Sequence, residues 1–577
     1  MKKFKKIAST LGMIAVTMFI TACGASTNQL DNTGLNDGGD GFVDTLTVMS
    51  EQSDGWIRNF NILTSTPAQF LQGFMYEPLV IFNTIQNNEE VMWLAEDIIS
   101  EPDNKTLTIK VRQGIQWSDG EEFNAEDVAF SFTYSKDHPE IDRTGDWGEN
   151  GKLESVTIVD DYTVELVMKK ENRFHRNDVF YNKWIYPEHI YSQVEDPATL
   201  ILENPVVTGA FSIVESFQPE TVSLLRNPNY WRADDLEVDR MVWPQFNSND
   251  AALTLFRTGG VDWAYNFIPD IEKTYIQGDE NRKYWYGVND GIRLAPNYAS
   301  TNESAVRAFE DPEFKKAMSM SIDRQAIVDA ATFGYIDLIL PTNTGLPPAL
   351  FGYKNAEADA ITQKYAEYNI EEAKKILADA GYKDQDGDGF VDHADGTPIK
   401  FEIMSPAGWS DWNDGCAISV QGMQEAGINA VAITAEVSTM PDGWSNGDWD
   451  VRYGGYGLSG DIYKFYFDTI GDQARIKTPT WWSTTQTNYA NDEMTALIEK
   501  LPTGQSDEEV AEIVAEIEMF FAENMINIPI IHNGAWHIYN DGRFTGWATA
   551  ENPFVNPGNV THDSKILQLM ALEPVRK

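Results

Sequence analysis

From Leu46 to Ile531 the chain alternates short strand-like runs with longer helical ones, and no single motif constrains the fold as much. Leu46 to Met49 reads as a short strand, and Thr106 to Val111 alternates faces like a half-buried strand before the turn at Gln113-Gly114. Ala125 to Tyr134 carries apolar residues at helical spacing, with Asn124 placed to cap it. Val156 to Val167 reads as a hairpin around Asp160-Asp161. Asp311 to Thr332 reads as one helix begun by Asp311-Pro312, and Asn369 to Ala380 as an amphipathic helix ended by Gly381. Ile399 to Met404 is a predicted strand, and Val420 to Ala426 closes a helix before Gly427. Ser506 to Asn524 is a long helix in which Ser506 and Glu509 have the capping-box spacing, and Ile528 to Ile531 is a short buried strand. Mixed order of this kind is α/β, and 577 residues are too many for one core. There is no internal repeat at a period of about 20–50 residues.

The N-terminus has its own grammar. Four lysines in the first six residues precede an apolar run from Ile7 to Ile20, then Thr21-Ala22, so residues 1–22 read as a secretory signal. The run is too short for a typical membrane-spanning helix. The junction Ile20-Thr21-Ala22-Cys23-Gly24 resembles a bacterial lipobox, which makes Cys23 the expected site of lipid attachment. Residues 23–42 are rich in Gly, Asn, Asp, Ser and Thr and read as a flexible tether. These features predict a protein held at the extracytoplasmic face of a bacterial membrane.

Charge narrows the partners. Acidic residues outnumber basic ones by 89 to 43, for a formal net charge of −46, which would repel a phosphate backbone and excludes nucleic acid. The two cysteines, Cys23 and Cys416, cannot build a disulfide framework, and Cys416 is expected to be buried near a helix start.

Several blocks resemble the family 5 extracellular solute-binding proteins, the oligopeptide, dipeptide and nickel receptors of ABC importers. They are Tyr76-Glu77-Pro78-Leu79-Val80, Leu94-Ala95, Val111 to Gly120 and Phe123 to Val128. The likeness continues through Thr208-Gly209-Ala210-Phe211, Leu225 to Trp231, Phe314 to Ala317, Ile322-Asp323-Arg324, Glu372-Ala373-Lys374, Ala380-Gly381-Tyr382, Ile528-Pro529-Ile530 and Gly546-Trp547. It implies the two-lobed periplasmic-binding-protein fold (type II) in its large variant, with the ligand in the interlobe cleft. Lobe I would comprise residues 43–75, 205–295 and 535–577, an extra subdomain residues 76–204, and lobe II residues 296–534. Membership also implies a monomer that closes over its ligand and is read by permease subunits. Locally, Trp117 to Gly120 reads as a turn, Asn227 to Trp231 as a turn leading into core aromatics, and Asp323-Arg324 as a structural ion pair.

In the peptide-binding relatives an acidic residue after a Gly-rich strand meets the ligand's amino terminus. The matching segment, Asp448 to Asp461, places Tyr456 and Asp461 near the ligand. The Asp-Pro that often follows is missing, which leaves a helix-cap or loop role open for Asp461. Tryptophans fall where strands should end at the cleft: Trp56, Trp263, Trp409, Trp412, Trp444, Trp481, Trp482 and Trp536. An indole offers a flat apolar face and one N–H, which suits stacking on a sugar ring, though for each taken alone the core is the commoner place. Trp409 to Trp412 stands out because a polar, Gly-flanked stretch after a strand is expected outside the core. Asn247, Asn266, Asp411 and Asn413 could read hydroxyls. The segments holding Asn247, Trp263 to Phe267 and Gly546 to Phe554 look more like the oligosaccharide-binding branch of the family.

Spacing also raises two other kinds of chemistry. Asp384, Asp386, Asp388, the carbonyl of Phe390, Asp392 and Asp395 have calcium-loop spacing with Gly389 at the sixth position, so a structural calcium and a solvated turn are both open. No other cofactor is expected. Gly443 to Gly447 matches a nucleophile-elbow pattern without the strand before it or the helix after it, so chance is the better reading. The expected function is a non-catalytic importer receptor for an oligosaccharide or an oligopeptide. The rival is a secreted hydrolase, a glycosidase or esterase with an aromatic cleft.

Overall fold

Two long antiparallel strands, Arg282–Pro296 and Ile528–Asn540, run through the whole molecule. The computed structural model describes residues 44–576 apart from residues 51, 143, 149–150, 438–439, 441–448, 457–458, 471–486, 490 and 561–563. The long pair lies at the centre of a ten-stranded sheet ordered Asn429–Ala435, Lys400–Pro406, Val451–Gly455, Arg282–Pro296, Ile528–Asn540, Trp263–Tyr265, Thr45–Met49, Arg240–Pro244, Thr221–Arg226 and Phe211–Gln218. Its register slips between Val288 and Gly291 and again between Ile292 and Arg293. Beyond the slip, Ile292 to Pro296 pair with Gly455 to Val451, whereas at the other end His537 to Tyr539 pair with Tyr265 to Trp263. Each half of the pair therefore belongs to a different lobe. The bulge at Asn289-Asp290 is where the sheet can bend between them.

Separate cores fill the two halves. One gathers Leu46, Val48, Trp243 and Trp263 with Leu107, Ile109 and Phe132. Another gathers Leu294, Phe314, Phe401 and Ile403, and a third packs the inner face of the helix Asp507–Asn524. Burying each large side chain stabilises by about 1.5–3 kcal/mol, so each half has its own reason to fold. A four-stranded antiparallel sheet ordered Ala95–Ser100, Thr106–Val111, Thr163–Met168 and Leu153–Asp160 forms the extra subdomain with the helix Ala125–Asp137. Thr106–Val111 alternates burial as its sequence predicts. Among the described residues no helix is long and apolar enough to cross a membrane.

Local chemistry sets the ends of elements. The Asn124 side chain accepts from the Glu126 N–H at 2.7 Å, while Asp127 accepts from the Asn124 N–H at 3.2 Å, a reciprocal cap. Ser506 accepts from the Glu509 N–H at 3.2 Å and starts the helix that ends at Asn524. The single helix expected over Asp311 to Thr332 is instead two. Pro312–Met320 stops at Ser321, and Asp323 then caps a new start by accepting from the Ala326 N–H at 2.9 Å.

Asp323 and Arg324 consequently do not form the expected ion pair. The buried Arg324 guanidinium donates to the carbonyls of Pro529, Ser319 and Ala366 at 2.7–2.9 Å and to Ser319 Oγ at 2.9 Å. It ties the broken helix to the start of the long strand, and desolvation pulls its pKa down to about 9. Arg324→Gln removes the charge and most of these donors, leaving buried carbonyls unpaired at about 1–3 kcal/mol each. The variant should lose at least about 2 kcal/mol in urea unfolding; an unchanged midpoint would show that the carbonyls find other donors.

Candidate functional site

The bulge in the long strands places a group of polar and aromatic side chains where the two lobes meet. From the first lobe, the helix Asn249–Arg257 points its N-terminus across the seam, capped by Ser248, which accepts from the Ala251 N–H at 3.2 Å. The Asn249 N–H donates to the Gly408 carbonyl at 3.0 Å. Its amide donates to Ser410 Oγ at 3.0 Å and to an Asp411 carboxylate oxygen at 3.2 Å, and Gln52 donates to Asn249 at 3.3 Å. Gly408 has φ +81, and a Cβ there would sit 2.8 Å from the Asn247 carbonyl oxygen. Only glycine lets the two segments approach this closely.

From the second lobe, Trp409 precedes and Asp411 and Trp412 open the helix Ser410–Glu425. The two indoles meet edge to face at 4.8 Å. Trp412 lies against the bare backbone of Gly454 and Gly455, where added Cβ atoms would be 3.7 and 3.8 Å from its ring. From the long strands come Tyr286, Asp290, Asn533 and Trp536. Trp536 packs edge-on to Tyr286 at 4.8 Å and to Phe267 at 5.1 Å. Asn289 donates to Tyr265 Oη at 2.8 Å and to Asp290 at 3.2 Å, and a Cβ on Gly455 would meet Asp290 at 2.4 Å.

The electrostatics are those of a dry, acidic seam. Burial pushes the Asp411 carboxyl up to about 7, against the Asn249 amide that favours its charged form. Burial likewise raises Asp290 to about 7, opposed by hydrogen bonds and by the Arg293 charge. Several buried polar atoms at the seam find no hydrogen-bond partner among the described residues: Tyr286 Oη, Trp409 Nε1, Asn533 Oδ1 and Gln52 Oε1. Buried polar groups are nearly always paired, so each of these atoms leaves a bond that water or a bound molecule can supply.

The structure brings Trp409, Asp411, Trp412 and Trp536 together here and sends other sequence candidates elsewhere. Trp56 is core, its ring 5.4 Å from Phe70 and its N–H on the Trp243 carbonyl. Trp263 is fully buried with its N–H on the Pro557 carbonyl. Trp56, from the loop after the first strand, and Trp263, from a strand of the sheet, both pack into the core, which corrects their assignment to the cleft. Tyr456 is buried under the Arg293 guanidinium at 4.1 Å, and its hydroxyl is spent on the carbonyls of Thr342 and Asn343. The amides of Asn266 and Asn413 turn to the nearby Phe267 and Pro406 carbonyls. Asn247 is exposed and contributes its backbone carbonyl rather than its side chain to the seam. Asp461 accepts from the Lys464 N–H at 2.8 Å as a helix cap, and burial raises its pKa to about 7. Cys23, Trp444, Trp481, Trp482 and the Gly443 to Gly447 pattern lie outside the described residues.

Sequence reasoning missed Asn249, Gln52, Asp290, Tyr286 and Asn533. The run Asn289-Asp290-Gly291 inside a strand was a readable bulge signal; Tyr286 and Asn533 carried none.

In the acidic loop, carboxylate oxygens of Asp384, Asp386 and Asp388 lie within 4.8 Å of one another. Asp384 accepts from the Gly387 and Gly389 N–H groups, Asp386 from that of Asp388, and Asp388 from that of Phe390. Asp392 accepts from the Gln385 N–H at 2.9 Å, and Asp395 pairs with Arg307 at 2.6 Å, which holds its carboxyl well below the usual range. Two surface hollows of about 230 and 260 Å³, one lined by Tyr298 and Lys315 and one by Glu402 and Trp449, also belong to the second lobe.

Two lobes on a shared strand pair, with unpaired polar atoms and aromatic faces at the seam, make a protein that encloses a solute. The chain belongs to the bacterial extracellular solute-binding proteins, family 5, whose middle region matches residues 89–477. The oligopeptide-binding protein AppA of Bacillus subtilis is 23% identical over 551 residues, covering 92% of this chain and 96% of that one. The mannohexaose-bound periplasmic oligopeptide-binding protein of Thermotoga maritima superimposes with a TM-score of 0.81 at 24% identity, over 93% of this chain and 99% of that one. AppA of Bacillus subtilis in complex with a nonapeptide gives 0.75 at 21% identity, over 92% and 99%. These likenesses establish a shared fold.

The raised carboxyls fix a pH dependence. A carboxyl whose folded pKa lies above its unfolded value binds its proton more tightly in the folded state. Its contribution is complete below the unfolded pKa near 4 and is lost as pH rises through about 7. The melting temperature should therefore fall between pH 5 and pH 8, and Asp411→Asn should flatten part of that fall. A variant with the full wild-type slope would show that Asp411 ionises freely in the folded protein.

Proposed function

We propose that this protein is the extracytoplasmic receptor of an ABC importer, capturing a neutral oligosaccharide between its lobes without chemically changing it. The observation that carries this reading is the pairing of aromatic faces at Trp409, Trp412 and Trp536 with unpaired buried donors and acceptors at Tyr286, Trp409 and Asn533. A sugar ring offers an apolar face to an indole and hydroxyls to mixed donors and acceptors, so both kinds of group in one cleft suit it. The two seam carboxyls, raised to about 7, suit a ligand without a full charge. Asp461 is occupied as a helix cap, so it makes a poor anchor for a peptide amine.

An oligopeptide is the second reading, favoured by the name of the relative that matches across 92% of this chain. Lobe closure in either case gives the permease subunits a shape to read, since the ligand stabilises the closed state. The hydrolase alternative has no support among relatives named as binding proteins. The Asp384 to Asp395 loop enters this reading only as a turn of the second lobe. We also assign the anchor to Cys23, with residues 23–42 as tether.

Short β-linked glucan, xylan or mannan oligomers should change tryptophan fluorescence saturably, with affinity near the micromolar range, about −8 kcal/mol. Trp412→Ala should weaken that binding by about 1–3 kcal/mol. Saturable binding of a peptide library with no response to any sugar would reverse the ranking of ligands. Turnover of oligosaccharides, peptides or esters by the purified protein would defeat the receptor reading.

For the anchor, Cys23→Ala should abolish lipid labelling and leave the protein unprocessed or released. A variant that stays on the membrane after signal cleavage would rule the lipid attachment out.

A further inference from the structure

Phe333 is a large side chain in a conformation that large side chains avoid. Its φ is +57, and the next residue, Gly334, continues the left-handed turn at φ +69. Left-handed backbone is costly for a bulky residue, and such strain persists where surrounding structure or function demands it. The turn does not bury the ring: Phe333 remains 45% exposed. A strained backbone that presents a phenyl ring to solvent gains little from packing, so the exposure needs another account.

The neighbours supply one. Phe333 stacks with Tyr335 at 6.2 Å and an interplanar angle of 18°, and it meets Phe267 at 6.2 Å. Phe267 contacts Trp536 at 5.1 Å, Trp536 contacts Tyr286 at 4.8 Å, and Tyr286 contacts Tyr335 at 5.8 Å. Five aromatic rings thus close a circuit across the two lobes. Phe333 is exposed, while Trp536 is 5% exposed and the Tyr286 hydroxyl is buried without a partner among the described residues. The circuit therefore grades from the interior of the seam to the surface.

Resting on the oligosaccharide reading above, we infer that Phe333 is an outer stacking platform for the end of a ligand chain that projects from the seam. An inner unit engages Trp412, Asp411 and the Tyr286 hydroxyl, and a later unit lays its apolar face on the exposed ring of Phe333. The left-handed turn at Phe333-Gly334 holds that face outward. The platform makes ligand length, and not only linkage, a determinant of affinity.

The test is a length series of β-linked oligomers, from two to six units, titrated by tryptophan fluorescence against wild type, Phe333→Ala and Phe333→Trp. In wild type, affinity should rise with length. Phe333→Ala should leave the shortest bound oligomer unaffected and lose about fivefold to tenfold on the longer ones. Phe333→Trp should restore the gain, which a merely structural role for Phe333 would not require. Sugar binding with the same length profile in wild type and Phe333→Ala would overturn the platform while leaving the oligosaccharide reading intact. A uniform loss at every length would assign Phe333 to holding the lobes closed and also overturn it. No sugar binding by wild type would overturn both.

Discussion

Everything in the described structure depends on the antiparallel pairing of Arg282–Pro296 with Ile528–Asn540. A strand pair is stiff along its length but yields where its register breaks, and here the break falls at Asn289-Asp290. The same two residues supply the polar centre of the seam, with Asn289 on Tyr265 and Asp290 facing Gly455. The register break and the polar centre of the seam therefore coincide. On the proposed reading, a ligand at Asp290 or Asn533 would act on the backbone where the paired strands can bend.

The sheet explains which sequence features matter for folding and which for binding. Much of the family signature builds a polar knot that ties residues 76–204 to the strand pair Phe211–Gln218 and Thr221–Arg226 and the turn after it. Buried Glu77 accepts from Trp93 at 2.6 Å, Trp231 at 3.2 Å and Tyr230 at 3.4 Å, and burial raises its pKa to about 7. Trp117 is likewise fully buried, donating to Asp127 at 3.1 Å. These residues hold the hairpins together and take no part in the seam. That is why the signature identifies the fold so well and the ligand so poorly.

Legibility in the sequence followed the physics of each signal. Caps at Asn124 and Ser506 are local, and they were readable because one side chain satisfies backbone groups two or three residues away. The strand starting at Ile528 was read only as far as Ile531, because His532, Asn533 and Gly534 interrupt the apolar run. The structure continues it to Asn540 with all thirteen residues buried. Those polar interruptions are where the strand crosses the seam, so the pattern failed where the two halves of the sheet meet. Tryptophan was the least readable residue: Trp56 and Trp263 stack in the core while Trp409 and Trp412 line the seam. Composition places an indole near apolar surface in both cases, and only the tertiary fold decides which side it faces.

Direct contacts across the seam are sparse on the side of Asn249: one backbone hydrogen bond to Gly408, and side-chain bonds to Ser410 and Asp411. Each contributes a net of about 0.5–1.5 kcal/mol, offset by the cost of drying two carboxyls whose pKa values rise to about 7. Arg173 adds bonds to the Pro502 and Gly504 carbonyls at 3.0 Å, so on the proposed receptor reading ligand-free closure would have to stay a near balance of modest terms. A receptor needs that condition, because a lobe pair that closed firmly by itself would report nothing about its ligand. On the proposed reading, the unpaired Tyr286 hydroxyl and Trp409 N–H would add to the closed state only when a ligand pairs with them. Polar groups left unsatisfied at the seam would then make closure conditional, and filling them with apolar side chains would exchange recognition for stability.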